Sequence, residues 1–165
     1  MSEPRYLIVG NSVAAVHCIE AIRAAGREGP ITVVSDEELV NYSRPLLSYW
    51  LGGRISEDRL AFRSPAFYRE HGVELILGRR VEGLELPERR VRLAGGQRLR
   101  YDRLLLAVGG VPILPPIEGL DEVREGAFTF LRWSDARALV DYIEARSLRE
   151  AVVLGGGLIG LKAVE

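Results

Sequence analysis

Two segments of the chain share one strand–turn–helix pattern, and this repeat constrains the fold more than any other feature. YLIVGNSVAA begins at Tyr6, and VVLGGGLIGL begins at Val152. In each segment a short apolar run, typical of a buried strand, is followed by a glycine turn and the start of an apolar helix. Such units build parallel sheets, so the repeat predicts an α/β fold.

The second turn has the complete G-x-G-x-x-G spacing at Gly155, Gly157 and Gly160, and Leu158 and Ile159 open the helix behind it. Small residues let the backbone N–H groups and the positive end of the helix dipole approach a pyrophosphate closely. The spacing therefore predicts a dinucleotide-binding loop. The alternative is a glycine-rich turn between strand and helix that binds nothing.

The first turn is a degenerate version of the same motif, with Gly10, Ser12 and Ala15 at the three key positions. Alanine is accepted at the third position. Serine at the second crowds the phosphate with its Cβ, but its hydroxyl can donate a hydrogen bond, and Asn11 tolerates unusual backbone angles. The acidic segment Ser35-Asp36-Glu37 closes the next strand, where an acid can bind ribose hydroxyls. An ordinary turn followed by solvated acids is the alternative.

Periodicity predicts the elements around the loops. Apolar steps at Val13, Val16, Ile19 and Ile22 predict an amphipathic helix over 12–25. The segments between Val73 and Val108 predict an antiparallel meander that leads into a buried strand. The remaining predictions are strands over 6–9, 31–34, 104–108 and 151–154, short helices over 46–51 and 65–71, and a helix capped by Ser134 that ends near Arg146.

Composition excludes several other classes of protein. The net charge is −1 and the arginines are scattered, which argues against nucleic acid and anionic membranes as partners. No apolar run approaches the ~20 residues of a membrane span, and the N-terminus does not have the pattern of a signal peptide. One cysteine, Cys18, forms no internal disulfide, so we expect a cytoplasmic setting. His17 and His71 are isolated from any metal-like cluster, and no metal site is predicted.

Six segments in this order resemble the pyridine-nucleotide disulfide oxidoreductase superfamily, in particular the branch of rubredoxin and ferredoxin reductases and the NADH-binding part of assimilatory nitrite reductases. The segments are YLIVGNSVAA, ITVVSDE, NYSRPLLSYWLGG, LLLAVGGVPILPPIEG, FLRWSDARAL and VVLGGGLIGLKAVE. The resemblance implies a Rossmann-like FAD/NAD(P)-binding fold. It also implies that a parallel sheet is covered by helices on one side and by the meander on the other.

The resemblance implies that the first loop binds FAD and that the second binds NAD(P)H. Asp36, with Ser35 or Glu37 as near alternatives, takes the adenosine ribose, and the backbone at Val81 holds the adenine. The segment SRPLLS carries no cysteine, although disulfide-reducing members have one there, so a thiol relay is not expected. The other cofactor-binding residues that it implies are Gly10 to Ala15 (Asn11, Ser12, Val13 and Ala14 included), Arg44 and Pro45 beside the flavin, Ala107, Val108 and Gly109, Arg132, and the second loop Gly155, Gly157, Leu158, Ile159 and Gly160.

The predicted organisation is an FAD-binding domain over residues 1–110, a connector over 111–150, and the start of a truncated NAD(P)-binding domain over 151–165. The predicted function is an FAD-dependent oxidoreductase that passes electrons from NAD(P)H to FAD and on to an acceptor; no catalytic side chain is assigned. The chain alone is expected to be inactive. A non-catalytic flavin-binding or docking module is the alternative. An acceptor protein and a homo-oligomer are compatible partners, and the choice between NADH and NADPH is left open.

Overall fold

The computed structural model describes residues 3–164. The chain divides into two compact units. The first unit consists of two segments, the chain up to Tyr42 and Ala61–Gly109. The second consists of Ser43–Leu60 and the chain from Gly110 onward.

A four-stranded parallel sheet is the centre of the first unit. Its strands are β1 (Tyr6–Val9), β2 (Ile31–Val34), β3 (Val73–Ile76) and β7 (Arg103–Leu106), in the spatial order β3-β2-β1-β7. All three neighbouring pairs are parallel. Helix α1 (Val13–Ala24) connects β1 to β2, and α3 (Ala66–Glu70) precedes β3. These bounds agree closely with the predicted strands over 6–9 and 31–34 and with the predicted helices.

A three-stranded antiparallel sheet lies in the chain between β3 and β7. It consists of β4 (Val81–Glu85), β5 (Arg90–Leu93) and β6 (Arg98–Arg100), in that spatial order. The glycines Gly95 and Gly96 both have positive φ and form the tight β5–β6 turn. This is the predicted meander.

Two apolar cores lie on the opposite faces of the parallel sheet. Ile8 belongs to the first core, with α1 and α3, whereas its neighbour Leu7 belongs to the second, with the antiparallel sheet, because successive strand side chains point to opposite faces. The predicted arrangement of helices on one face and a meander on the other is therefore confirmed. The buried members of the first core are Ile8, Ala15, Val16, Ile19, Ile31, Val33, Phe67 and Tyr68; those of the second are Leu7, Val34, Val91, Leu93 and Tyr101.

Three details of the first unit differ from the prediction. The segment that begins at Val73 pairs in parallel with β2 and is not part of the meander. Its side chains pack on both faces of the parallel sheet, Val73 and Leu75 on the first core and Ile76 on the second. The strand predicted over 104–108 ends at Leu106, and Leu106 and Val108 are 51% and 59% exposed, because β7 is an edge strand whose neighbour is β1. Val13 is also exposed, since α1 turns Ala15 into the core instead.

The second unit is mostly helical and loop. A 3₁₀ turn over Arg44–Leu46 leads into α2 (Leu47–Leu51); α4 (Trp133–Arg146) and α5 (Leu158–Val164) follow later in the chain. Trp50 of α2 packs edge-on against Trp133 of α4, with ring centroids 4.3 Å apart. None of the helices within residues 3–164 is long and apolar enough to cross a membrane.

The start of α4 is capped differently from the prediction. Arg132, not Ser134, is the N-cap residue. The side chain that satisfies the free end belongs to Asp135, which accepts hydrogen bonds from the Arg132 and Leu131 backbone N–H groups (3.0 and 3.1 Å) and from the Thr129 hydroxyl (3.0 Å). A carboxylate outcompetes a serine hydroxyl here because it accepts several bonds and favours the positive helix end.

The buried strand predicted over 151–154 is wrong. These residues form no strand, and Val152 and Leu154 are 87% and 73% exposed. A strand requires a neighbouring strand that accepts and donates its backbone hydrogen bonds. No strand within residues 3–164 pairs with this segment, so its apolar pattern alone does not make it one.

Candidate functional site

The first glycine loop connects β1 to α1 at the carboxyl end of the parallel sheet. Gly10 has φ +105°, a conformation that L side chains rarely adopt, and a Cβ there would clash with the carbonyl oxygen of Ala107. The Gly10 N–H donates to Val34 O (2.7 Å), and Ser12 is the N-cap of α1. The backbone of this loop is therefore held by β2 and by the end of β7, which leaves glycine as the residue that fits.

The second glycine loop repeats this backbone without a preceding strand. Gly155 has φ +116°, close to the value at Gly10. The Leu161 N–H donates to Gly157 O (3.0 Å), as the Val16 N–H donates to Ser12 O (3.2 Å) at the matching position of the first loop. A Cβ on Gly160 would clash with Gly155 O, which explains the third glycine of the motif. The local sequence therefore forms the dinucleotide loop even where the sheet is absent.

The acidic segment after β2 lies at the same carboxyl edge as the first loop, because Val9 and Val34 are partners in the β1–β2 register. Its three candidates have different environments. Ser35 is buried and accepts a hydrogen bond from the Glu37 N–H (3.1 Å); the Glu37 carboxylate accepts one from the Tyr42 hydroxyl (2.6 Å). Asp36 is exposed. Its carboxylate is therefore the most accessible of the three to a ribose.

A chain of hydrogen bonds supports the first loop from behind. The Tyr68 hydroxyl donates to Asn11 Oδ1 (2.7 Å) and accepts from Asn41 Nδ2 (2.9 Å). Asn41 is fully buried, and its Oδ1 accepts from the Arg63 and Phe62 N–H groups (2.7 and 3.2 Å). Burial raises the pKa of Tyr68, so its hydroxyl stays protonated and able to donate. These hydrogen bonds together fix the orientation of the Asn11 amide.

The sequence prediction missed both Asn41 and Tyr68. Tyr68 lies 57 positions from Asn11 and 27 from Asn41, so no local spacing connects them. The one available signal was a polar residue, Asn41, between the apolar Val40 and the aromatic Tyr42. That pattern indicates a buried polar residue with partners but does not say which ones.

The first loop has unused donors that suit a phosphate. Asn11 Nδ2 is buried and makes no hydrogen bond within the described residues. An unpaired buried donor costs about 1–3 kcal/mol, so a partner outside the chain would remove a real penalty. The Ser12 hydroxyl makes no capping hydrogen bond at the start of α1. These residues fit an anionic group placed at the helix N-terminus.

The other predicted cofactor residues are divided between the two units. The first unit contains Val81 at the start of β4, and Ala107, Val108 and Gly109 just after β7. The second contains Arg44 and Pro45 in the 3₁₀ turn before α2, and Arg132 at the N-cap of α4. Val13 and Ala14 on α1, and Leu158 and Ile159 on α5, are exposed. Their roles toward a cofactor stay predictions.

The described residues include one free cysteine, Cys18, which lies on α1. Cys18 is half-buried and packs against the first core, and burial raises the pKa of its thiol, which disfavours the reactive thiolate. No group of three metal-binding side chains occurs in residues 3–164. The Arg63 guanidinium, followed by His17, lowers the pKa of the Glu20 carboxyl on α1; this is a surface contact.

A family model described as pyridine nucleotide-disulphide oxidoreductase matches residues 4–164. The chain belongs to this family. Members of the family bind FAD and NAD(P)H. The match confirms the family resemblance found in the sequence and covers both glycine loops.

Relatives of several kinds match nearly all of the chain. It is 37% identical over 161 residues to the NADH-dependent phenylglyoxylate dehydrogenase subunit epsilon of Aromatoleum evansii, which covers 98% of the chain and 37% of that protein. It is 34% identical over 158 residues to putidaredoxin reductase of Pseudomonas putida, and this match covers 94% of the chain and 37% of that protein. A solved covalent putidaredoxin reductase–putidaredoxin complex has a TM-score of 0.84 at 30% identity, covering 99% of the chain and 39% of the other. The chain therefore spans well under half of these relatives.

Proposed function

We propose that this chain holds FAD on its first glycine loop and is part of an oxidoreductase that passes electrons from NAD(P)H to FAD and on to an acceptor. The observation that carries the proposal is the shared backbone of two loops in one chain, with matched φ values at Gly10 and Gly155. Two dinucleotide loops are most simply explained by electron transfer between two nucleotides. This reason favours an oxidoreductase over a non-catalytic flavin-binding or docking module.

FAD, when bound, supplies the redox chemistry: it accepts a hydride and passes electrons on. The chain's own residues bind and orient. We assign the pyrophosphate to the N–H groups at the start of α1, the Ser12 hydroxyl and Asn11 Nδ2. Among the described residues, Asn11 Nδ2 makes no hydrogen bond, and the Ser12 side chain makes no capping hydrogen bond. Asp36 is assigned to the ribose because it is the exposed one of the three candidates at the same sheet edge.

The remaining assignments rest on the family resemblance. They are a flavin-side role for Arg44 and Pro45, an adenine-side role for Val81, and NAD(P)H on the Gly155 loop. Arg132 and the segment Ala107 to Gly109 are proposed as further cofactor-binding residues. The same holds for the division into an FAD domain over 1–110, a connector over 111–150 and an NAD(P) domain that begins at 151. A cytoplasmic setting and a protein electron acceptor are proposed with them; the acceptor rests on the structural match to the reductase–putidaredoxin complex.

The test compares equivalent positions of the two loops. Ser12→Asp places a carboxylate against the pyrophosphate, yet aspartate is a good N-cap residue, so α1 should still form. Gly157→Asp places the same charge at the matching position of the second loop, where a Cβ meets nothing within 4 Å. Purified protein is titrated with FAD while the flavin fluorescence is followed.

We expect Ser12→Asp to raise the Kd for FAD about tenfold or more, the equivalent of ~1.4 kcal/mol, and Gly157→Asp to leave it unchanged. Gly10→Asp should be at least as damaging, because its Cβ also clashes with Ala107 O. Unchanged FAD affinity in Ser12→Asp, or a loss confined to Gly157→Asp, would contradict the assignment of FAD to the first loop.

A further inference from the structure

A polar cavity lies at the opposite edge of the first unit from the glycine loop. It has a volume of about 400 Å³ and is lined by Arg5, Pro87, Glu88, Arg89, Arg90, Arg100, Tyr101 and Asp102. Arg5 precedes β1 and Asp102 precedes β7, so the cavity adjoins the amino ends of these strands, whereas Gly10 follows the carboxyl end of β1. Its volume is within the range of small-molecule sites.

Two arginines of this cavity stand directly opposite each other. Arg90 on β5 and Arg100 on β6 are partners in the antiparallel register, so their side chains leave the same face of the sheet. Like charges in this position repel and destabilise the pair. No hydrogen bond or ion pair links either guanidinium to a carboxylate within residues 3–164.

The neighbouring arginine pair on the same two strands has carboxylate partners, which the pair in the cavity does not have within the described residues. Arg92 and Arg98 are partners in the same register, but each has a carboxylate. Arg92 pairs with Glu82 at 2.6 Å, and Arg98 pairs with Glu85 at 2.9 Å. Glu85 is also the β4 partner of Arg90 in the register, but its carboxylate pairs with Arg98. The sheet therefore uses its two nearest acids on Arg92 and Arg98, and neither forms an ion pair with Arg90 or Arg100 among residues 3–164.

Burial adds a second reason for an anion at the unneutralised pair. Arg90 Nε is buried and has no hydrogen-bond partner within the described residues. Of the two carboxylates in the lining, Asp102 accepts a hydrogen bond from the Arg5 backbone N–H (2.8 Å), and neither Asp102 nor Glu88 forms an ion pair with the arginines among residues 3–164. The four arginines and two acids leave the lining with two excess positive charges.

We infer that this cavity is an anion site for a phosphate group, separate from the glycine loops. A phosphate carries about 1.5 to 2 negative charges at neutral pH, which matches the excess charge of the lining. The arginines come from three separate segments: the chain before β1, the turn and start of β5, and the end of β6. Donors that converge from several directions suit the tetrahedral oxygens of a phosphate better than a planar carboxylate.

The test measures the thermal midpoint of the FAD-saturated protein against inorganic phosphate at constant ionic strength. Succinate is the comparison, a dianion whose two charged groups are planar carboxylates. A ligand that binds the native state raises the midpoint in a saturable way. We expect phosphate to do so and succinate to have little effect. A parallel series with glycerol 3-phosphate shows whether the site prefers an ester. Binding tighter than that of inorganic phosphate assigns the site to a phosphate ester, and binding equal to it assigns the site to free phosphate.

Two variants of the antiparallel sheet locate the site. Arg100→Gln removes an arginine of the cavity. Arg92→Gln removes an equal charge outside the cavity lining, from an arginine that Glu82 already neutralises. Arg100→Gln should raise the apparent Kd for phosphate about tenfold or more, the loss of one charge-assisted hydrogen bond, and Arg92→Gln should leave it within about twofold. Equal phosphate affinity in the two variants, or an equal response to succinate, would overturn the proposal.

Discussion

The Tyr68 hydroxyl connects the first glycine loop to the buried Asn41. Tyr68→Phe keeps the ring in the first core but removes the hydrogen bond to Asn11 Oδ1, and it leaves Asn41 Nδ2 with the Arg63 carbonyl as its remaining acceptor. A buried group left unpaired costs about 1–3 kcal/mol, so we expect a clear loss in the free energy of unfolding. We also expect a Kd for FAD that is raised about tenfold, because the Asn11 amide is no longer oriented.

Tyr6→Phe is the matched control for this change. Tyr6 also packs against the first core, and its hydroxyl makes no hydrogen bond to another described residue. Urea unfolding and FAD titration of both variants separate a local role of Tyr68 from a general effect of removing a hydroxyl. If Tyr68→Phe binds FAD as tightly as Tyr6→Phe does, the hydrogen-bond chain does not position the loop.

Among the helices, α4 depends on one side chain at its start. The Asp135 carboxylate accepts three hydrogen bonds, from the Leu131 and Arg132 backbone and the Thr129 hydroxyl. Asp135→Ala removes them and the favourable charge at the helix N-terminus, so we expect a loss of about 1–2 kcal/mol in the free energy of unfolding.

Asp141→Ala on the same helix is the comparison for the cap. Its carboxylate forms an exposed ion pair with Arg137 at 3.2 Å, and such i,i+4 pairs contribute only about 0.3–0.5 kcal/mol. Urea unfolding should therefore separate the two variants. Equal destabilisation by both would mean that Asp135 acts through surface charge and not through capping.

At the scale of the whole molecule, the two glycine loops differ in the structure that surrounds them. The first is held by a sheet and two cores, whereas the residues before the second are exposed and α5 has seven residues. Hydride transfer requires donor and acceptor atoms held in a narrow range of geometry, and small misplacements reduce the rate by orders of magnitude. We therefore expect the 165-residue chain alone to oxidise NAD(P)H no faster than free FAD does.

The measurement is anaerobic mixing of the FAD-loaded chain with NADH or NADPH while the flavin absorbance is followed, with free FAD as the reference. Slow bleaching that does not saturate with nucleotide is the expected result. Fast, saturable bleaching would show that the second loop, as it stands in this chain, already binds and orients the nicotinamide nucleotide.

Local patterns in the sequence were sufficient for the elements whose contacts are nearby in the chain. The strand before Gly10, the helix after it and the β5–β6 turn follow from apolar periodicity and glycine placement, because each depends on residues a few positions apart. The second glycine loop is also of this kind. The Gly155 loop adopts the backbone of the Gly10 loop without a strand before it, so its conformation is set by its own residues.

Tertiary structure decided every feature that depends on distant partners. The pattern of residues 151–154 is that of a strand, but a strand forms only beside another strand, and no strand within residues 3–164 pairs with this segment. The hydrogen bond between Asn11 and Tyr68 joins residues 57 positions apart, and the arginine cavity collects side chains from three segments. Long-range hydrogen bonds and charge clusters leave no periodic trace in a sequence, because their spacing is set by the path of the chain between them.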